Sequence, residues 1–183
     1  MRFVHLNLHT EFSLADGLIR IKPLFTKLKE QNVECVALTD IGNAYETALK
    51  NGITPIIGAE CYVKANQETV GRITLLAKSY EGYLNLSKLL SEGYRHGQER
   101  GVPHITYEWL EMYHAGLIVI AGKDSPIGIT LLTRKEDDWL ESIAPFKLFK
   151  DHLYLGISRT QQDNDEAFIT AAKKSIIALS GGE

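Results

Sequence analysis

Short apolar, β-branched runs alternate with amphipathic stretches along most of this chain, and that alternation constrains its fold more than any other feature. ECVALTD (34–40), TPIIGAECYV (54–63), RITLLAK (72–78), GLIVIAG (116–122) and HLYLGIS (152–158) read as strands. Between them, IKPLFTKLKEQN (21–32) sets Leu24, Phe25 and Leu28 at helical spacing, and AYETALKNG (44–52) reads as a helix with Gly52 past its C-terminus. SYEGYLNLSKLLSEGYRHG (79–97) is a third helix, TYEWLEMYH (106–114) a fourth behind Thr106 as N-cap, and DNDEAFITAAKKSIIAL (163–179) a last one with acids in its first turn. SPIGITLLTRKEDDWLESIAPFKLF (125–149) reads as helical in two parts, and QERGVPH (98–104) as a Gly/Pro loop. Strands alternating with helices predict an α/β domain with a mostly parallel sheet or a barrel.

In such folds ligands gather at the carboxyl ends of strands. That rule singles out His9 to Asp16, Asp40 and Ile41, Glu60, and Gly122 and Lys123. The first of these lies in HLNLHTEFSLADG (5–17), read as an opening strand with Val4, Leu6 and Leu8 on one face and His5, Asn7 and His9 on the other. His9 and Asp16 supply the nitrogen and oxygen donors that suit a Zn- or Mn-type ion, and a hydrogen-bonded strand-end histidine fits the same spacing. Asp40 reads as an N-cap before it reads as a site residue. Glu60 is the more telling carboxylate, because it lies inside IIGAECYV, where burial is costly unless something pairs with it. His5, His96, His104, His114 and His152 read as rim, surface or packing residues.

Other chemistries fall away. Ser13 and Ser125 have no histidine at a motif spacing, the G-x-S-x-G elbow is absent, and no phosphate-binding glycine loop follows a strand. The chain is 183 residues with a net charge of -3, which gives no electrostatic reason to expect it to bind nucleic acid by itself. Cys35 and Cys61 both sit in strand-like apolar runs and read as free thiols in a reducing compartment. With no signal sequence and no apolar run long enough to cross a bilayer, a cytoplasmic location is expected.

FVHLNLHTEFSLADG, ALTDIGNAY, GITPIIGAECYV and ITLLAKSYEGYLNLSKLLSEGY, in this order, closely resemble the N-terminal PHP (polymerase and histidinol phosphatase) domain of bacterial replicative DNA polymerase III alpha subunits. The resemblance runs from Arg2 to about Ala172. It implies a distorted β/α barrel with a metal cluster at the C-terminal ends of its strands, incomplete at the C-terminus because the last ligand pair lies beyond Glu183. It also implies that 1–183 is a single PHP domain, the N-terminal piece of a much longer polymerase chain. The segment after Asn43 is shorter than in the family by roughly two helical turns.

Residue by residue, the resemblance matches His9, Asp16 and Glu60 to family ligands and marks four ligand positions as lost, with Asn7, Ile41, Ile73 and Lys123 standing in them. Two isoleucines fill volume that a metal and its imidazoles would need, so the cluster is expected to be degenerate and the domain without catalytic residues of its own. Lys123 is expected near Asp16 or Glu60, balancing charge that a metal once balanced. The implied role is structural: packing against the rest of the alpha subunit and docking the proofreading exonuclease subunit. No cofactor is expected in this piece, with Zn or Mn for a remnant site and Mg for the parent DNA-directed DNA polymerase. The rival reading is a metal-dependent phosphoesterase, exonuclease or phosphatase, working through a reduced site of His9, Asp16 and Glu60.

Overall fold

The computed structural model describes residues 4–11, 17–39, 44–64, 70–133 and 142–180. Helix α1 (Ile21–Glu30) buries Ile21, Phe25 and Leu28, one stripe at helical spacing, and leads to strand β1 (Cys35–Leu38). Helix α2 (Ala44–Lys50) turns through Gly52, whose φ of 72° no other residue type adopts as readily, into the long strand β2 (Thr54–Lys64). Strand β3 (Val70–Ala77), helix α3 (Tyr80–His96), strands β4 (Gln98–Glu99) and β5 (Val102–Thr106), helix α4 (Tyr107–Tyr113) and strand β6 (Leu117–Ala121) follow. Helix α5 (Pro126–Thr133), a 3₁₀ helix (Ala144–His152), strand β7 (Leu153–Leu155) and helix α6 (Asp165–Ser180) complete the described chain.

The seven strands form a sheet of order β4-β5-β2-β3-β6-β7, with β1 pairing β2 beside that path. It is mixed rather than mostly parallel: β1–β2, β2–β5 and β6–β7 run parallel, whereas β2–β3, β3–β6 and β4–β5 run antiparallel. Among the described residues it does not close into a barrel, and β4 and β7 are its edges.

Two local expectations are corrected. The opening segment is not a regular strand; it lies beside β1 through a single bridge, His5 to Val36, with Ala37 N–H donating to His5 O at 2.8 Å. Leu6 is accordingly exposed while Leu8 is buried, so the even-numbered side chains do not share one apolar face. The stretch 98–104 is a hairpin, not a loop: Arg100 and Gly101 take positive φ, the turn geometry that lets β4 and β5 pair.

One face of the sheet carries the main core. Ala59, Cys61 and Val63 of β2, Ile73 and Leu75 of β3, and Val119 and Ala121 of β6 pack with Leu86 and Leu89 of α3, Leu110 of α4, and Phe146 and Phe149. A second cluster, Leu8, Phe25, Leu28, Val36, Leu38, Ala48 and Ile53, joins α1 and α2 to β1. Helix α3 is held at its start by Ser79, which accepts from Gly82 N–H at 3.1 Å, and by close backbone approach at Gly82. A Cβ on Gly82 would lie 1.9 Å from Gly116 O, so only glycine fits there.

Candidate functional site

The register of the β2–β3 ladder decides which side chains meet. Glu60 stands opposite Thr74, Tyr62 opposite Arg72, and Cys61 opposite Ile73. Directly opposed residues share a face and successive residues alternate, so Glu60, Tyr62, Arg72 and Thr74 lie together on the face away from the main core.

On that face Arg72 Nη1 lies 3.3 Å from Glu60 Oε2, and Arg72 Nη2 lies 3.2 Å from Asp124 Oδ2. Asp124 follows β6, and its carbonyl accepts from Arg72 N–H at 2.8 Å, so backbone and side chain fix the two residues to each other. His9 Nε2 sits 3.6 Å from Glu60 Oε2. Glu60 is 20% exposed, His9 24% and Arg72 34%, so this is a half-sheltered charge cluster at the rim of the sheet. Burial works against the charged guanidinium, and Glu60 and Asp124 more than offset it, holding the pKa of Arg72 above the ordinary arginine value. On the other side of β2, burial first and the Glu60 charge second push the Cys61 thiol up to about 12, which makes it an inert core residue.

The fold thus brings His9 Nε2 within 3.6 Å of Glu60 Oε2. Asp16 and Ile41, like Asp40, lie outside the described residues. Asn7 is exposed and belongs to the end of β1, where Thr39 Oγ1 lies 3.2 Å from Asn7 Oδ1 and 2.7 Å from Leu8 O.

Two expected positions are corrected. Ile73 does not line this face; it is 1% exposed in the main core, and its neighbour Arg72 takes the place beside Glu60. Lys123 does not balance Glu60. Its ammonium lies 2.6 Å from Asp165 Oδ1 and 2.6 Å from Gln162 Oε1, pinning the start of α6 to the end of β6. Asp165 is buried and also accepts from Thr160 N–H and Gln162 N–H, and the lysine first and these amides next hold its carboxyl well below the aspartate range. Ser125 is a structural cap: its Oγ accepts from Gly128 N–H at 3.0 Å and donates to Gly122 O at 2.6 Å.

Sequence reasoning missed Arg72 and Asp124. The signal for Arg72 was present in RITLLA, where alternation puts Arg72 and Thr74 on one face and Ile73 and Leu75 on the other. Asp124 had none, because it reaches the cluster through the turn after β6.

A family model described as the PHP domain matches residues 5–160. The chain belongs to the PHP domain family. Within the family it is similar to the DNA polymerase III alpha subunits of Pseudomonas aeruginosa, at 38% identity over 93% of this chain and 15% of that protein, and of Haemophilus influenzae, at 36% over 94% and 16%. The alpha subunit of Escherichia coli K12 is 32% identical over 93% of this chain and 16% of its own length. The chain thus spans about 15% of the length of the curated relatives it matches. A crystal structure from Bifidobacterium adolescentis, described as a metal-dependent phosphoesterase, has the same fold with a TM-score of 0.51 at 14% identity, covering 93% of this chain and 83% of that one. Among the described residues, the mixed sheet with interleaved helices is the PHP fold with its sheet not closed.

The donor set bears on whether a metal of the family type fits here. Among the described residues no three His, Cys, Asp or Glu side chains converge as a metal cluster would require. The carboxylate that a metal would take, Glu60, already faces a guanidinium. A divalent ion placed between Glu60 and Asp124 would meet Arg72 at the same position, so the described donors do not fit it.

Proposed function

We propose that this chain is the PHP module of a bacterial replicative DNA polymerase alpha subunit, a single domain over 1–183 whose phosphoesterase site is degenerate and which acts as a structural and interaction module. The observation that supports this best is the Arg72 guanidinium lodged against Glu60, the carboxylate that an active metal site would need free. The parent polymerase would be Mg-dependent and cytoplasmic. Among the described residues no helix is long and apolar enough to cross a membrane.

The interaction role has support in the outer face of α3. Tyr80, Tyr83, Leu84 and Tyr94 are exposed there, with Ser87 and Ser91 between them and the exposed Lys88 and Arg95 along one margin. Tyrosine-rich surface of this kind suits protein contact. We assign the partners as the rest of the alpha subunit and the proofreading exonuclease subunit. Co-purification of the exonuclease subunit with the alpha subunit carrying this domain, lost when the domain is deleted, is the expected result; retention of the exonuclease after deletion would refute the docking role.

The second reading, a phosphoesterase using Zn or Mn at a reduced site, is favoured by the approach of His9 to Glu60 at 3.6 Å. Metal-dependent hydrolysis of a generic phosphodiester by the purified domain, abolished by Glu60→Ala, would establish it in place of the degenerate-site reading. Its absence with Zn²⁺ and with Mn²⁺ is the expected result.

A further inference from the structure

We propose that the cleft between α3 and β5 is the anchor point of the α3 interaction face. Its occupant is a short acidic segment of a separate partner protein, one bulky apolar side chain of which fills the cleft. The inference deepens the interaction-module reading and rests on it.

The cleft has a volume of about 140 Å³, and its walls include Cys61, Leu90, Gly93, Tyr94, Pro103 and Ile105. An apolar cavity of roughly 150 Å³ holds one benzene-sized group, so a single Phe or Leu side chain matches this space. Cys61 and Ile105 are buried, whereas Tyr94 is 59% exposed, so the apolar lining opens onto the surface beside a tyrosine. Helical spacing joins the cleft to the tyrosine stripe: Leu90 and Tyr94 lie on the flank of α3 that carries Tyr83, and Lys88 and Arg95 lie on the opposite flank. A segment that leaves the cleft across the stripe therefore meets two cations. On the far side of the cleft, Gln98 pairs with Pro103 and the β4–β5 turn presents Arg100.

The charges favour an acidic occupant. The carboxylates near the cleft already have cationic or imidazole neighbours. Glu92 lies 3.6 Å from His96, and Glu99 is held by Lys64, with Arg100 the weaker of its cationic neighbours. Glu81 is in the first turn of α3, at the other end of the helix from Leu90 and Tyr94. Arg95 has no ion-pair partner among the described residues, and the Lys88 ammonium stands 6.0 Å from the centre of the Tyr113 ring. A buried apolar anchor supplies most of the affinity of such a contact, and the rim charges select the partner and steer its approach.

The probe is a fluorescein-labelled synthetic decapeptide with a central phenylalanine, carboxylate side chains on both sides of it, and glycine and serine elsewhere. It is titrated by fluorescence anisotropy against this chain and against the alpha subunit that carries it. Both should bind it. Tyr94→Ala should weaken binding roughly tenfold, as should alanine in place of the peptide's phenylalanine. The double variant Lys88→Glu, Arg95→Glu should weaken it roughly tenfold at low salt, and glutamines in place of the peptide's acids should do the same. These side chains are exposed, and circular dichroism checks that the variants fold; Lys29→Glu, on the exposed side of α1, should change nothing. No binding to wild type, or binding that Tyr94→Ala leaves unchanged, would overturn the cleft as anchor. Binding indifferent to the charge reversals would overturn the acidic occupant. Binding to this chain but not to the alpha subunit would mean that the rest of the polymerase covers the cleft, which overturns the separate partner. The interaction-module reading fails by a different result, retention of the exonuclease subunit after deletion of the domain.

Discussion

Glu60 and Thr74 stand directly opposite each other in the β2–β3 ladder, and this single register places Arg72 beside Glu60 and turns Ile73 into the core. A slip of one residue would exchange the two, since alternate side chains point to opposite faces. The register is held by the apolar set that the core face demands, Cys61 with Ile73 and Ala59 with Leu75.

The Lys123–Asp165 pair gives a pH-dependent prediction. Lys123→Met removes the main partner of a buried carboxylate and should lower the melting temperature at pH 7 by more than Arg159→Ala, whose ion pair with Glu166 is exposed. The folded pKa of Asp165 lies below its ordinary 3.8, so the stabilisation is fully present above that value and is lost as pH falls through the folded pKa. The gap between wild type and Lys123→Met in thermal unfolding should hold from pH 7 to pH 5 and narrow in stronger acid.

The start of α3 depends on two backbone features. Ser79→Ala removes the acceptor for Gly82 N–H and should cost about 1 kcal/mol in urea unfolding. Gly82→Ala forces a Cβ against Gly116 O, a backbone atom that cannot turn aside, and should cost about 3 kcal/mol. Equal costs would show that α3 can shift away from the turn before β6.

The two thiols should differ in reactivity. Cys61 is buried with its pKa near 12, whereas Cys35 is half-buried at the start of β1. Titration of the native protein with an aromatic disulfide at neutral pH should modify no more than one thiol promptly, and Cys61 should react roughly tenfold more slowly or only in denaturant. A Cys61→Ser variant that loses the fast phase would refute this assignment.

Much of this architecture is legible in the sequence because hydrophobic period and burial agree. GLIVIAG and RITLLAK are strands, and the stripe of Phe25 and Leu28 is the buried side of α1. Legibility fails where tertiary pairing decides. Gly101 and Pro103 resemble loop residues, yet the positive φ at Arg100 and Gly101 closes a hairpin. His9 and Glu60 were joined as one site only through the family resemblance, since Glu60 lies inside β2 and His9 in a segment that forms no regular strand. The charge partner was not legible, since Lys123 and Arg72 are equally cationic and only the register and the Lys123–Asp165 contact separate them.

The face assignment has its own test. Ile73→His would place an imidazole in a core that offers it no partner while removing a fully buried side chain, at a cost of about 3 kcal/mol. Arg72→His instead places the imidazole on the sheltered face beside Glu60, where water and carboxylates are in reach, so the fold should lose roughly 1 kcal/mol. Zn²⁺ should then raise the melting temperature of Arg72→His and leave that of Ile73→His unchanged, because only a ligand on the Glu60 face joins His9 and Glu60. Stabilisation of Ile73→His by Zn²⁺ would mean that the ladder is shifted by one residue in solution, and Arg72 would then be the core-facing residue.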